Sequence, residues 1–275
     1  MILNKKRKNI LLIFLAIIGS LIILFPLIYA FSLSFMEPSE ISQYPPKLIP
    51  THITFNNFKN ALSSVPLMNF IFNSFIVSIL VTIGQVITAS MAAYAFAFYD
   101  FKGKTIMFLC VLSTMMIPTE TTIISNFLTV SSWGWNDSLK VLIVPFLTSA
   151  MGIFLMRQFY LTIPKELKEA AKIDGCSNLK FLLKIIIPIS KPAIASLSIY
   201  IFINTWNQYL WPLLTINNGS KRTVQIGISM LQFSEGNSYG VVLAGAILIL
   251  IPSIFIFIIG QKHLVKGMTS GSVKG

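Results

Sequence analysis

Residues 169–192 read EAAKIDGCSNLKFLLKIIIPISKP, with four lysines, a Glu and an Asp inside a chain that is otherwise strongly apolar. The stretch divides at Gly175, because glycine best tolerates the left-handed backbone that ends a helix. Before it, Pro164 fits a first helical turn, and Glu166 and Glu169 lie near the positive end of the helix dipole. After it, Ser177 can cap a second helix in which Leu179, Leu182, Leu183 and Ile186 share one face and Lys180 and Lys184 another. Pro188 closes that helix. Each helix is far shorter than the roughly 20 residues a membrane crossing takes. Ala170, Ala171 and Gly175 would let another backbone approach closely. The hairpin is either a docking surface for a soluble partner or an amphipathic pair floating on a membrane surface.

The rest of the chain supplies the membrane. Of 275 residues, 55% are hydrophobic and only 11% charged, against about 25% charged in soluble domains. Six apolar stretches are long enough to span a bilayer: 10–35, 68–98, 105–128, 141–160, 192–214 and 240–261. The first follows Lys5, Lys6, Arg7 and Lys8, but its 26 uncharged residues exceed the apolar core of a cleavable signal. It reads as a retained anchor. With both termini inside, segments 1–9, 99–104, 157–191 and 262–275 hold 16 of the 21 basic residues, the bias that marks cytoplasmic loops. The expected architecture is all-α and integral to the membrane, one domain over 1–275. Six transmembrane helices carry the hairpin, within 161–191, on the cytoplasmic side between the fourth and fifth. The net charge of +12 then reflects topology and attraction to an anionic inner leaflet, not nucleic acid.

The outer segments are modest. Phe55, Phe58 and Leu62 share a helical face that Thr54 can cap, which predicts a short interfacial helix. Residues 215–239 read as a polar, Gly-containing connector. The chain's chemistry points away from catalysis. It holds no G-x-x-x-x-G-K-[ST] phosphate loop, and its two histidines and two cysteines show no metal-ligand spacing. No catalytic triad or carboxylate pair stands out, and no metal or cofactor is expected on this chain.

At this point the hairpin carries a resemblance. Glu169-Ala170-Ala171, Asp174-Gly175, nine intervening residues and then Ile185, Ile187 and Pro188 resemble the EAA loop of ABC-importer permeases, with Ile187 where Leu is usual. RQFYLTIPKELKEAAKIDG, PISKPAIASL, WNQYLWPLL and GMTSGSVKG resemble phrases of the maltose and glycerol-phosphate type of carbohydrate permease, over most of the chain. The resemblance implies a bacterial inner-membrane permease subunit that pairs with a homologous sister permease. It further implies two cytoplasmic ATPase subunits, which carry the ATP and Mg, and an extracellular or periplasmic solute-binding protein. The hairpin would be the coupling helices seated on the ATPase. The loop 215–239 would approach the binding protein, and the tail 266–275 the ATPase interface.

A solute path must be sought among polar groups inside spans, which are costly there and mostly face a bundle interior or a wet cavity. Asn204, Asn207, Gln208 and Trp211 recur at helical spacing on the fifth span. Their amides, beside an aromatic surface, suit a hydroxyl-rich ligand. Trp133, Trp135, Trp206 and Trp211 equally fit an aromatic belt at the outer interface. Asn73 and Gln85 read as interhelical glue. Glu120, just after Pro118, either lines the outer mouth or sits at the interface. The solute itself stays open among maltooligosaccharide, glycerol phosphate, another phosphorylated polyol and an amino sugar. Two other classes remain for comparison: a self-contained secondary transporter, and a membrane anchor or signalling subunit. One internal carboxylate and no visible repeat weigh against the first; the full loop pattern weighs against the second.

Overall fold

Three apolar runs fold as uninterrupted helices because nothing in them breaks the backbone ladder strongly enough. In the computed structural model, which describes residues 2–235 and 238–269, these are α1 (Ile2–Leu33), α4 (Leu67–Phe98) and α15 (Tyr239–Thr269). Each contains a stretch apolar and long enough to cross a membrane: Leu11–Leu33, Leu67–Phe98 and Tyr239–Gln261. These match the first, second and sixth expected spans closely. All regular structure among the described residues is helical.

The other three expected spans are broken. Pro118 has no N–H to give and pushes Ile117 into extended backbone. Consequently α5 (Lys104–Ser113) and the 3₁₀ turn Thr114–Met116 meet α6 (Thr119–Ser132) at 96°. The third expected span, 105–128, is thus two pieces near a right angle, interrupted at Pro118. Pro145 interrupts the fourth, where α7 (Leu139–Ile143) and the 3₁₀ turn Val144–Phe146 meet α8 (Ala150–Tyr160) at 41°. The fifth divides into α12 (Lys191–Trp206) and α13 (Leu210–Thr215), with Asn207–Tyr209 unwound between them. Residues 215–239 are also more ordered than a connector, since α14 (Val224–Glu235) buries Val224, Ile226 and Leu231. Residues 236–237 and most of the tail 266–275 lie outside the described residues.

The chain forms two units, Met1–Leu67 with Gly227–Leu250, and Met68–Ile226 with Ile251–Gly275. In the first, the end of α1 is held by Asn57, whose buried amide donates to Ser34 and Met36 carbonyls at 2.9 and 2.8 Å. Asn57 lies on α3 (Asn56–Ser64), the expected outer helix; Thr54 Oγ1 accepts the Asn56 N–H, and Phe55 and Phe58 pack on Phe35. Glu40, on the short α2 (Pro38–Ile41), gathers the following loop. Its Oε1 accepts the Thr51 N–H at 2.7 Å and pairs with Lys47 at 3.3 Å. Hydrogen bonds from the Thr51 side chain and backbone, then Lys47, hold the Glu40 carboxyl below its usual range.

The second unit is organised on α4. Asn73, Ser74, Ser78, Gln85 and Ser90 along it are all buried. The two amides bond to backbone: Asn73 donates to Ser220 and Arg222 carbonyls, Gln85 to the Phe146 carbonyl. The expected polar glue thus ties a helix to irregular backbone, which is where spare carbonyls lie.

Candidate functional site: a helical hairpin and two cavities

The hairpin forms as α9 (Glu166–Ile173), α10 (Asn178–Phe181), a π-helical turn Leu182–Ile186 and α11 (Ile187–Ile189). Gly175 takes φ +70°, and the Cys176 N–H closes back on the Ala171 carbonyl at 2.8 Å. A Cβ at Gly175 would meet nothing within 4 Å, so backbone conformation alone calls for glycine here. Ser177 caps α10 by accepting the Lys180 N–H. Pro188 cannot donate to the Lys184 carbonyl, and the π turn directly before it re-spaces the ladder. The chain then turns by 80° into α12.

Exposure sorts the predicted hairpin residues. Glu169, Ala170, Asp174, Gly175 and Pro188 are exposed, Ile185 is half-buried, and Ala171 is buried against the chain's own core. Ala171 is thus corrected from a docking knob to an internal contact. Likewise Leu179 and Leu183 point outward, while Phe181, Leu182 and Ile186 are the buried face. The buried face therefore runs through Phe181, Leu182, the half-buried Ile185 and Ile186, and leaves out Leu179 and Leu183. Ile173 at the hairpin tip is 87% exposed, outside any span.

Lys168, on the inner side of α9, donates to the Phe98 carbonyl at 2.8 Å and lies 4.0 Å from the Tyr99 ring centre. Burial, and after it the nearby Lys172, lower its pKa, with Asp100 opposing. Phe181 sits in the same box, 5.9 Å from Phe98 and 6.2 Å from Tyr94 between ring centres.

Three cavities open where the helices break: the largest, about 710 Å³, has an apolar lining that includes Leu109, Leu112, Met115, Met116 and Phe154, and two smaller ones carry amide side chains. The larger of these two, about 510 Å³, is bounded by α6, the 3₁₀ turn of the fourth run and Trp211 on α13, with Thr119, Asn126, Thr129 and Gln208 among its lining residues. The smaller, about 220 Å³, is lined by Gln85, Ser149, Tyr200, Asn204, Thr205 and Gln208 among others. Gln208 and Phe146 border both. Among the described residues, no charged side chain lines either one.

These geometries can be compared with known proteins. Residues 85–270 match the family described as "Binding-protein-dependent transport system inner membrane component". The chain belongs to this family. It is a non-catalytic permease subunit of a binding-protein-dependent ABC transport system, which implies ATPase and solute-binding partners. Among its relatives is the sn-glycerol-3-phosphate transport system permease protein UgpE of Rhizobium meliloti (strain 1021), 35% identical, with 98% of each chain covered. The arabinooligosaccharides transport system permease protein AraQ of Halalkalibacterium halodurans is 33% identical, over 98% of this chain and all of that one. The fold matches a chain from the crystal structure of a bacterial ABC transporter involved in import of the acidic polysaccharide alginate. The TM-score is 0.84 at 24% identity, covering 94% of this chain and 97% of that one.

Within this permease the expected solute-path residues separate. Asn204 and Gln208 come together on the smaller cavity. Asn207 turns away, its Oδ1 accepting from Gln225. Trp211 walls the larger cavity, but its indole N–H already donates to the Val141 carbonyl at 3.0 Å, so it offers a surface and no hydrogen bond. Glu120 is exposed in the first turn of α6, one residue beyond the lining Thr119, and does not line either cavity itself. Tyr200, Thr205, Ser149 and Phe146 were not singled out in the sequence. Tyr200 and Asn204 are one helical turn apart, which is the signal that could have found the tyrosine.

Proposed function

We propose that this permease supplies half of a translocation path for a neutral, hydroxyl-rich portion of a sugar or polyol. The carrying observation is the smaller cavity, whose polar lining consists of amides and hydroxyls with no charged side chain. Such groups both donate and accept, as hydroxyl ligands require. The unwound backbone at Asn207–Tyr209 belongs at such a cavity, because irregular backbone at membrane depth must be buried in protein or line a wet space. The relatives named for transport of sn-glycerol 3-phosphate and of arabinooligosaccharides support this solute class. A phosphate group would find no cation here, and would be held by the sister permease or the binding protein.

In this reading the single domain 1–275 crosses the inner membrane six times, with both termini cytoplasmic. The broken runs each count as one span, and α12 with α13 forms the fifth. The hairpin 161–191 is the coupling loop, its exposed Ile173 and Gly175 presented to a cytoplasmic ATPase that carries the ATP and Mg. A homologous sister permease completes the path, lipid surrounds it, and no cofactor binds this chain.

The test is uptake by the assembled transporter carrying Asn204→Leu or Gln208→Leu. Each removes hydrogen bonds worth about 1 kcal/mol apiece, without placing charge in the membrane. Transport of sn-glycerol 3-phosphate and of an arabinooligosaccharide should be tried in parallel. The cognate solute should be taken up about fivefold more slowly for each hydrogen bond lost, in both variants at equal assembly. Unchanged uptake in both would remove this face from the path.

A further inference from the structure

We propose that α4 carries the hairpin's movement to the solute cavities, and that Lys168 is the positioning residue fastening the hairpin to it. This inference rests on the hairpin being the ATPase-coupling loop. At the cytoplasmic end of α4, Lys168 donates to the Phe98 carbonyl at 2.8 Å and covers the Tyr99 ring at 4.0 Å. A cation on the last carbonyls of a helix also meets the negative end of its dipole. The second arm of the hairpin reaches the same place through Phe181, packed on Tyr94 and Phe98. Both arms therefore grip one helix end.

The other end of the connection lies at the break in the fourth span. Gln85 Nε2 donates to the Phe146 carbonyl and Thr88 Oγ1 to the Leu147 carbonyl, each at 2.7 Å. Gly84 lies so close to Leu147 that an added Cβ would run into its side chain. Gln85 and Phe146 both line the smaller cavity, and Phe146 lines the larger as well. From Gln85 to Phe98 the helix holds neither Gly nor Pro and spans about 20 Å. Such a segment shifts as a rod more readily than it bends. A displacement of the hairpin is thereby delivered to the broken backbone at Phe146, a residue that lines both cavities.

The experiment uses the complete transporter in lipid, with Cys110 and Cys176 replaced by Ser and Asn204→Cys as a reporter in the smaller cavity. Maleimide labelling of the reporter is compared without nucleotide and after trapping with ATP, vanadate and the binding protein. The rate should change on trapping in the parent. With Lys168→Met added, that change should vanish while the ATPase still co-purifies; Lys168→Arg should restore it, and Tyr99→Leu should diminish it. A nucleotide-dependent change that persists in Lys168→Met overturns the proposal. So does loss of the ATPase from that variant, since Lys168 would then be acting in docking. Ile173→Asp on the exposed tip reports separately on the docking reading. If it keeps the ATPase and the labelling change, the hairpin is not the coupling surface.

Discussion

Gly175 offers a perturbation in which backbone and bulk can be separated. Its φ of +70° is one that side-chain-bearing residues rarely adopt, yet the space around it within the chain is open to 4 Å. Gly175→Ala should therefore cost only the left-handed conformation, about 1 kcal/mol. Gly175→Asn adds more atoms but tolerates that conformation, and should cost less. Against a net stability of about 5–15 kcal/mol, neither variant unfolds the protein. The melting temperature of the isolated permease should drop by about 2–4 °C in Gly175→Ala and by less in Gly175→Asn. ATPase affinity measures the other quantity. Gly175→Ala, whose strain is present with and without the ATPase, should lower it little, and Gly175→Asn should weaken it more, through bulk at the contact. Melting of the purified permease, followed by titration with the partner ATPase, gives both numbers. If Gly175→Asn destabilises as much as Gly175→Ala, the conformational argument is wrong. If both bind the ATPase as the parent does, the tip is not the contact.

Three further outcomes are expected. Ala171→Asp should lose several kcal/mol by burying an unpaired carboxylate, leaving little folded permease by size-exclusion chromatography. Ala170→Asp, on an exposed neighbour, should fold normally. With native cysteines removed, Lys59→Cys should react with an impermeant maleimide on intact cells and Lys102→Cys only after lysis; the reverse pattern would contradict the orientation. The loop gathered by Glu40 should loosen only in acid. Because hydrogen bonding lowers the Glu40 pKa, its contribution is complete above the ordinary carboxylate range and lost as pH falls through the lowered value. Exchange of the Thr51 N–H should accelerate there beyond its intrinsic pH dependence, and Glu40→Gln should abolish that acid-side change.

The apolar runs were legible because an uncharged stretch and its flanking lysines depend on composition alone. The ends of α4 and the start of α15 fall within a residue of the expected limits. Gly175 was equally legible, since a positive φ is a local demand. Direction was not. Pro118 and Pro145 announce interruptions, but the 96° and 41° turns they permit depend on what packs around them. Ala171 misled because small size is compatible with an outer contact and with close packing inside. Leu179 and Leu183 misled because apolar residues occupy almost every position from 181 to 187, so the sequence alone does not say which of the possible faces is buried. Lys168 escaped notice for a different reason. A lysine between two glutamates reads as solvated, and only the fold brings a helix C-terminus and a tyrosine ring beneath it.

The central claim is that this chain moves solute with energy received from a separate ATPase. It is tested most directly by uptake into vesicles containing the permease, its sister, the ATPase and the binding protein. Radiolabelled sn-glycerol 3-phosphate and arabinooligosaccharide serve as solutes. Accumulation of one of them should require internal ATP, stop when the ATPase is omitted, and survive collapse of proton and sodium gradients. Accumulation that continues without the ATPase and follows an ion gradient would contradict the account.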